Sequence, residues 1–357
     1  MLVVLGIVLF VLLVVVHEYG HFIAAKKGGV KVEEFGLGFP PRAKVLTKKN
    51  GTVYTLNWLP IGGFVKLKGE HDAATEKGSF GAASFKRKTL IIGAGVLMNW
   101  LAAIVIFTVV ALIGMPQLIE NQFKVANDSS VVKQEVFAGY VEEKSPAASI
   151  GIEAGDRILE IGGTSLNTTE QLRETTKKFA NQPVDVTFSK NNQIQTKQVT
   201  LRNDPKNGNF GVAPAEQTLV RSTWSAPIVG VGTTVQFTGA TLQGLWGALT
   251  NLFAGRASEA GAAVTGPVGI VVVLQDLARQ GLVFVLFLIG VISVSLAVMN
   301  VLPIPALDGG RLFVMGLFRL LKKPLSKEIE EKIHGTGMIA LLLLAAIITI
   351  VDVRRFF

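Results

Sequence analysis

Apolar residues gather in four long blocks, at about 2–25, 89–115, 282–301 and 335–352. Each is long enough for a helix to cross a bilayer, which takes roughly 20 residues. Between the second and third blocks the texture changes. Short β-type runs appear at Tyr140–Val141 and Arg157–Ile161, separated by a Ser-Pro turn and glycine breaks. NTTEQLRETTKKFA (167–180) has the spacing of an amphipathic helix opening on Thr-x-x-Gln. PVDVTFSKNNQIQTKQVTL (183–201) alternates like a hairpin turning at Asn191–Asn192. Residues 220–262 scatter Trp224, Phe237, Leu242, Trp246 and Phe253 among small and polar residues, the pattern of one or two interfacial helices. GTVYTLNWLPIGGFVKL (51–67) reads as two β-prone runs around Pro60, Ile61, Gly62 and Gly63, a hairpin of low polarity that dips toward the membrane.

These elements predict a polytopic α-helical membrane protein. It has about four transmembrane helices, a membrane-re-entrant β-hairpin and an inserted mixed α/β domain. The expected divisions are an N-terminal membrane half (1–115), an inserted domain (127–215), interfacial amphipathic helices (216–281) and a C-terminal membrane half (282–357). The inserted domain and its flanks lie between the second and third spans.

Composition sharpens this. Of the 357 residues 49% are hydrophobic, too many for an ordinary soluble domain. The net charge of +9 does not point to nucleic acid, because lysines and arginines are dense in two connections, 26–88 and that between the last two spans. Such loops are cytoplasmic by the positive-inside rule, and a long translocated domain such as 116–281 carries its own basic residues regardless. The 116–281 region is then extracytoplasmic, although Arg354 and Arg355 pull against an external C-terminus. The first block lacks a basic leader and a small-residue cleavage site, so it reads as an anchor and not a removable signal peptide. Cysteine is absent, so any transition metal must be held by the four histidines or by carboxylates.

Polar chemistry interrupts the apolar blocks at two places. In VVVHEYGHFIAA (14–25), His17 and His21 stand one helical turn apart on one face, with Glu18 between them. This is the H-E-x-x-H pattern, two imidazoles for one zinc and a carboxylate for its water. Ionisable groups cost on the order of 3 kcal/mol near the middle of a membrane span, so three without a role are improbable. A third ligand is needed. His71 lies in a charged loop and reads as solvated; His334 reads as a cap or interface residue. Asp308, in MNVLPIPALDGGRL (299–312), is the better candidate. Pro303 and Pro305 unwind the helix end there, which is tolerated at membrane depth only where the backbone lines a cavity. Asn300 is placed either to hold a substrate backbone or to cap a helix end.

HEYGH, NVLPIPALDGG and GAGVLMNWLAA (93–103) together resemble the site-2 protease class of intramembrane zinc metalloproteases, in its bacterial RseP-type branch. The resemblance spans nearly the whole chain. It implies Zn2+ held by His17, His21 and Asp308, with Glu18 as general base. It makes the 51–67 segment, with Gly62 and Gly63, similar to a re-entrant β-loop that meets substrate as an edge strand, with Asn99 and Asn300 also on the substrate side. The 127–215 region looks like an extracytoplasmic PDZ domain, and GPVGI (266–270) resembles a family element. Two positions depart from the pattern: Val96 stands where a proline is usual, and Pro40 where a glycine is common. Only one PDZ unit fits between Asn127 and Gly211, so filtering by tandem domains does not carry over.

The expected function is zinc-dependent endopeptidase action on transmembrane segments of single-span proteins already trimmed outside, such as anti-sigma factors or remnant signal peptides. The site would lie toward the cytoplasmic side of a bacterial inner membrane. Two rivals come from other classes. An ion transporter would favour inverted repeats, of which the sequence has none. A silent membrane scaffold with a PDZ domain has no use for Glu18 between two ligands.

Overall fold

The computed structural model describes residues 1–357 except 191–192, 205–207, 257–258, 260 and 262–264, with only the backbone described at Ile61. The chain divides into two units, Met1–Val110 with Ala226–Phe357, and Ala111–Ser225.

The first unit is a helical membrane body. It begins with α1 (Leu2–Lys27), which runs through the HEYGH stretch without a break and ends on Lys26 and Lys27. Two strands follow, β1 (Val32–Lys49) and β2 (Thr52–Leu67), and then α2 (Phe85–Ile113). Among the described residues, four helices are long and apolar enough to cross a membrane: α1, α2 and, toward the C-terminus, Leu282–Val301 and Lys327–Phe356. The chain is a polytopic helical membrane protein.

The hairpin expected within 51–67 is built differently. Its two runs do not pair with each other. Residues 34–37 lie between them, with Phe35 opposite both Tyr54 and Val65, and Gly36 opposite both Thr55 and Phe64. The outer half of β1 folds back onto β2, Val45 opposite Thr55, so four short strands lie in the order 42–49, 52–57, 34–37, 63–67. The last is an edge. Gly36 makes the middle position possible, because a Cβ there would stand 2.2 Å from the Phe64 ring. Ion pairing fixes the fold-back: Arg42 Nη2 lies 2.6 Å from Glu34 Oε2.

The second unit is a mixed α/β domain. Its strands β3 (Met115–Pro116), β4 (Ser129–Val141), β5 (Arg157–Ile161), β6 (Thr164–Ser165), β7 (Pro183–Lys190), β8 (Gln193–Thr200) and β9 (Val212–Ser222) form one sheet. Its order is β3-β9-β4-β5-β7-β8, with β6 on β5. Alternation along β7 turns Val184, Val186 and Phe188 inward, where they meet Val136, Ile158 and Ile161 in a closed core. The pairing of β7 with β8 is the expected hairpin, although its turn at Asn191–Asn192 lies outside the described residues.

Two helices cover this sheet. The Ser-Pro element is not a bare turn: Ser145 caps a one-turn helix, α3 (Pro146–Ser149), with Pro146 at its first position. Thr168 and Gln171 form a reciprocal capping box on α4 (Thr169–Lys178). The strand β9 runs through the border expected at residue 215, so residues 216–222 belong to this sheet and not to the helices that follow.

At the exit of this unit, the half-buried Asp128 accepts bonds from the backbone N–H groups of Thr223 (2.8 Å) and Ser225 (2.9 Å), and from both hydroxyls. Desolvation pushes its pKa up, but these donors outweigh it and hold the carboxyl below its usual value. A lowered folded-state pKa contributes stability above the unfolded value of about 3.9, lost as pH falls from there toward the folded value. Asp128→Asn is therefore expected to lower the thermal midpoint of the full-length protein at pH 7. It should also flatten the dependence on pH below about 4. Thermal unfolding of both proteins between pH 3 and 7 checks this, and superimposable curves would refute it.

The membrane body resumes at α5 (Ala226–Phe253) and α6 (Pro267–Gln280). No charged residue occurs from Ala226 to Gly255. Expected as interfacial, α5 packs lengthwise on α2: a Cβ on Gly230 would touch Thr108 and Ile104, and Trp100 Nε1 donates to Thr238 Oγ1 at 3.1 Å. Phe237 joins Phe107 and Phe287 in an aromatic cluster. The GPVGI run opens α6, whose Gly269 N–H is bound by the buried Asp352 near the chain's end at 2.8 Å. After α7 (Leu282–Val301) the backbone unwinds through 302–307, then restarts as α8 (Asp308–Leu320) and finally α9 (Lys327–Phe356). The LDGG motif thus lies not inside the third span, but at the start of a separate helix beyond the break.

Candidate active site

On an α-helix, residues four apart stand one turn above each other. In α1 this stacks the His17 and His21 rings edge to face, their Nε2 atoms 3.1 Å apart. Asp308, first residue of α8, brings its Oδ2 to 3.2 Å from His17 Nε2 and 3.3 Å from His21 Nε2. Three donor atoms from residues 291 positions apart in the chain (308 minus 17) form a nearly equilateral triangle. They are the sole group of three metal-ligand-type side chains so gathered among the described residues.

Each donor is steered by a neighbour. His21 Nδ1 bonds the Ile91 carbonyl at 2.9 Å, so the proton sits on Nδ1 and the Nε2 lone pair faces the triangle. His17 Nδ1 lies 3.3 Å from the buried Asn99 amide, whose other polar atom, Oδ1, has no partner. Turning that amide by 180° makes Asn99 accept from His17 Nδ1–H, which leaves the His17 Nε2 lone pair facing the triangle as well. Asn99 is itself fixed, since Ser293 Oγ donates to its carbonyl at 2.7 Å.

The break before Asp308 is shaped by its own residues. A Cβ on Gly309 would stand 2.0 Å from Val301 O, and one on Gly310 only 1.9 Å from Ile304 O. Two glycines in succession are required for α8 to begin against the unwound segment. Ala306 there takes a left-handed φ of 81°.

Glycine does similar work between α1 and α2. Gly20 abuts the backbone of Ala94, where a Cβ would come within 2.4 Å of its oxygen. Gly95 faces the triangle: a Cβ there would lie 2.4 Å from His21 Nε2 and 2.8 Å from His17 Cε1. Sequence reading did not single out Gly95, although it lies inside the GAGVLMNWLAA stretch.

The edge strand 63–67 borders the same face. A Cβ on Gly63 would sit 3.7 Å from Glu18 Cγ and 3.8 Å from Val15 Cγ2. Gly62 has φ 80° beside Phe39 and Val14. Of the other expected residues, Asn300 donates to Leu296 O at 3.0 Å, one turn back in its own helix, so it does not cap the helix end. His71 pairs with Glu331 at 3.4 Å, and His334 bonds the backbone of the unwound segment.

Comparison with known proteins agrees with this geometry. The model of peptidase family M50 matches residues 5–344. The chain belongs to peptidase family M50. That is the site-2 protease family, so the chain is a peptidase. It is 33% identical to a putative zinc metalloprotease of Clostridium perfringens, over 99% of this chain and 98% of that one. It is 26% identical to the regulator of sigma-W protease RasP of Bacillus subtilis, over 98% of each chain. Among solved structures, the PDZ domain of an SdrC-like protein of Listeria innocua aligns with 23% of this chain and 92% of its own. That alignment has 28% identity and a TM-score of 0.20.

Proposed function

We propose that this M50 peptidase is a zinc-dependent intramembrane endopeptidase that cuts transmembrane segments of single-span proteins after their outer portions have been removed. The observation that carries the reading is the triangle of His17 Nε2, His21 Nε2 and Asp308 Oδ2 inside an apolar helical body. Ligand atoms 2.0–2.1 Å from a tetrahedral zinc stand about 3.3–3.4 Å apart, close to the three separations found here. Asp308 Oδ2 is buried yet makes no well-formed hydrogen bond, as expected of a lone pair aimed at a shared centre and not at either imidazole. The donor set of two imidazoles and one carboxylate leaves a fourth position for water, as in catalytic zinc sites. When bound, zinc supplies a Lewis acid and lowers the pKa of water to about 7.

The chain's own residues supply the rest. Glu18 accepts the proton of the attacking water on a carboxylate oxygen and passes it to the leaving amide nitrogen. A helical substrate keeps its peptide carbonyls in i→i−4 bonds, so it must unwind before attack. The 63–67 edge offers backbone partners that replace those bonds, beside Glu18, by strand addition. Helix breakers in a substrate should therefore speed cleavage. The Ala111–Ser225 unit, read as a PDZ domain outside the membrane, restricts entry to trimmed substrates, with the hairpin re-entrant from the cytoplasmic face. Regulation of a sigma factor, stated in the name of the Bacillus relative, supports anti-sigma factors as one substrate class.

The test is cleavage of a single-span substrate in lipid nanodiscs, with intact and shortened outer portions, with and without a chelator. Cutting of the shortened form alone, abolished by the chelator and restored by zinc, is expected. Chelator-insensitive cutting would overturn the zinc reading, and equal cutting of both forms the trimming requirement. Asp308→Asn replaces an anionic ligand by a neutral one. It should lower zinc retained after dialysis by about tenfold or more, and undiminished zinc would move the third ligand elsewhere.

A further inference from the structure

Asp308 begins a helix that follows an unwound segment, so something outside α8 must hold its carboxylate against the two histidines. The partner is one face of α9. Glu330, His334 and Gly337 stand at i, i+4 and i+7 there, and each meets the ligand segment at a different point.

His334 Nδ1 accepts the Ala306 N–H at 3.1 Å, two residues before Asp308. Ala306 is the residue with the left-handed φ, a conformation that a non-glycine residue keeps only when its surroundings hold it. Gly337 lets α9 approach Pro305, where a Cβ would stand 2.5 Å from the proline Cβ and 2.6 Å from its oxygen. Glu330, only 3% exposed, lies 3.5 Å from Arg311 Nε, one turn after Asp308. Its other oxygen accepts the Asp72 N–H at 2.8 Å. Arg311 is held on two further sides, donating to the Glu70 carbonyl and stacking 4.7 Å over the fully buried Phe80 ring.

We propose that Glu330, His334 and Gly337 form a clasp on the last span that positions Asp308 as a metal ligand, gripping the chain on both sides of it. The three are positioning residues, acting through Ala306, Pro305 and Arg311. The proposal rests on the zinc reading above and adds that metal affinity is set by a helix contributing no ligand. Second-sphere partners of this kind typically alter metal affinity by about 10–100-fold.

The test uses the full-length protein, stripped of metal and titrated with Co2+, read by its visible absorption bands and affinity. His334→Leu removes the acceptor and leaves the Ala306 N–H unmet; about 10–100-fold weaker cobalt binding is expected, with altered bands. His334→Asn sets Oδ1 where Nδ1 stood and should restore affinity toward that of the unaltered protein. Glu330→Gln keeps an acceptor for Asp72 but loses the ion pair, and should weaken binding in the same range. Should His334→Leu fail to fold, the contrast between Glu330→Gln and His334→Asn still decides. Unchanged affinity and bands in Glu330→Gln and His334→Leu would overturn the clasp. An unaltered protein that binds no cobalt would instead overturn the metal reading on which it rests.

Discussion

Glu18→Gln should retain its zinc and cleave a transmembrane substrate about 10²–10⁴ times more slowly. The substitution is nearly isosteric. Glutamine keeps the Cγ that lies against Gly63, so the packing of α1 against the 63–67 edge is kept. His17, His21 and Asp308 are untouched, and metal content should match the unaltered protein. What the amide cannot do is take a proton from water near neutral pH. Single-turnover cleavage, with zinc measured on the same preparation, separates the two effects. A rate within a few-fold of the unaltered protein would remove Glu18 from the role of base. Joint loss of zinc and activity would make it part of the metal-holding structure instead.

Gly95→Ala should abolish both zinc retention and cleavage. One methyl group rarely has such an effect, and the reason is local. The added Cβ would lie 2.4 Å from His21 Nε2 and 2.6 Å from His21 Cε1, inside the contact distance of real Cβ atoms. Neither helix can withdraw easily, because Gly20 already seats α1 on the backbone of Ala94 and the Asn99 carbonyl is tied to Ser293. The imidazole must therefore turn away and break its Nδ1 bond to Ile91 O. Zinc content and thermal midpoint, measured together, check this. Gly93→Ala is the control, since a Cβ there meets nothing within 4 Å. Zinc bound as well by Gly95→Ala as by Gly93→Ala would show that the site has more room than its geometry indicates.

The parts of this site that sequence reveals are those with a cost. Two histidines and a glutamate in a membrane span, and an aspartate after two prolines, are expensive unless used, so they stand out against apolar neighbours. The capping box at Thr168 and Gln171 and the alternation of β7 are equally local, and the structure has both.

What escaped reading depends on residues far apart meeting. FGLGFPP holds two glycines and carries little strand signal, yet 34–37 is the strand between the two runs of 51–67. It is a strand because both its edges find partners, a fact of tertiary pairing. Gly95 acts by lacking a side chain, which has meaning only once α1 is laid against α2. Likewise α5 has an interfacial composition, but Gly230 and Thr238 give it a lengthwise seat on α2 that no periodicity announces. His334 reads as an interface residue; its partner is the Ala306 backbone N–H 28 positions away, two residues before Asp308.

The two-residue strand β3 has an effect larger than its size. Met115 and Pro116 pair with Val220 and Leu219, so the chain enters and leaves the Ala111–Ser225 unit side by side. Arg221 Nε, bonded to Leu112 O at 3.0 Å, fastens the same junction. A domain hung from so closed a neck is modular: it can be enlarged or traded without changing the spacing of the two ends that the membrane body must receive. The Bacillus relative aligns over 438 positions with this chain of 357 residues, so extra length is accommodated somewhere along the pair. The neck offers room for such length, so one peptidase core can carry inserted domains of different size.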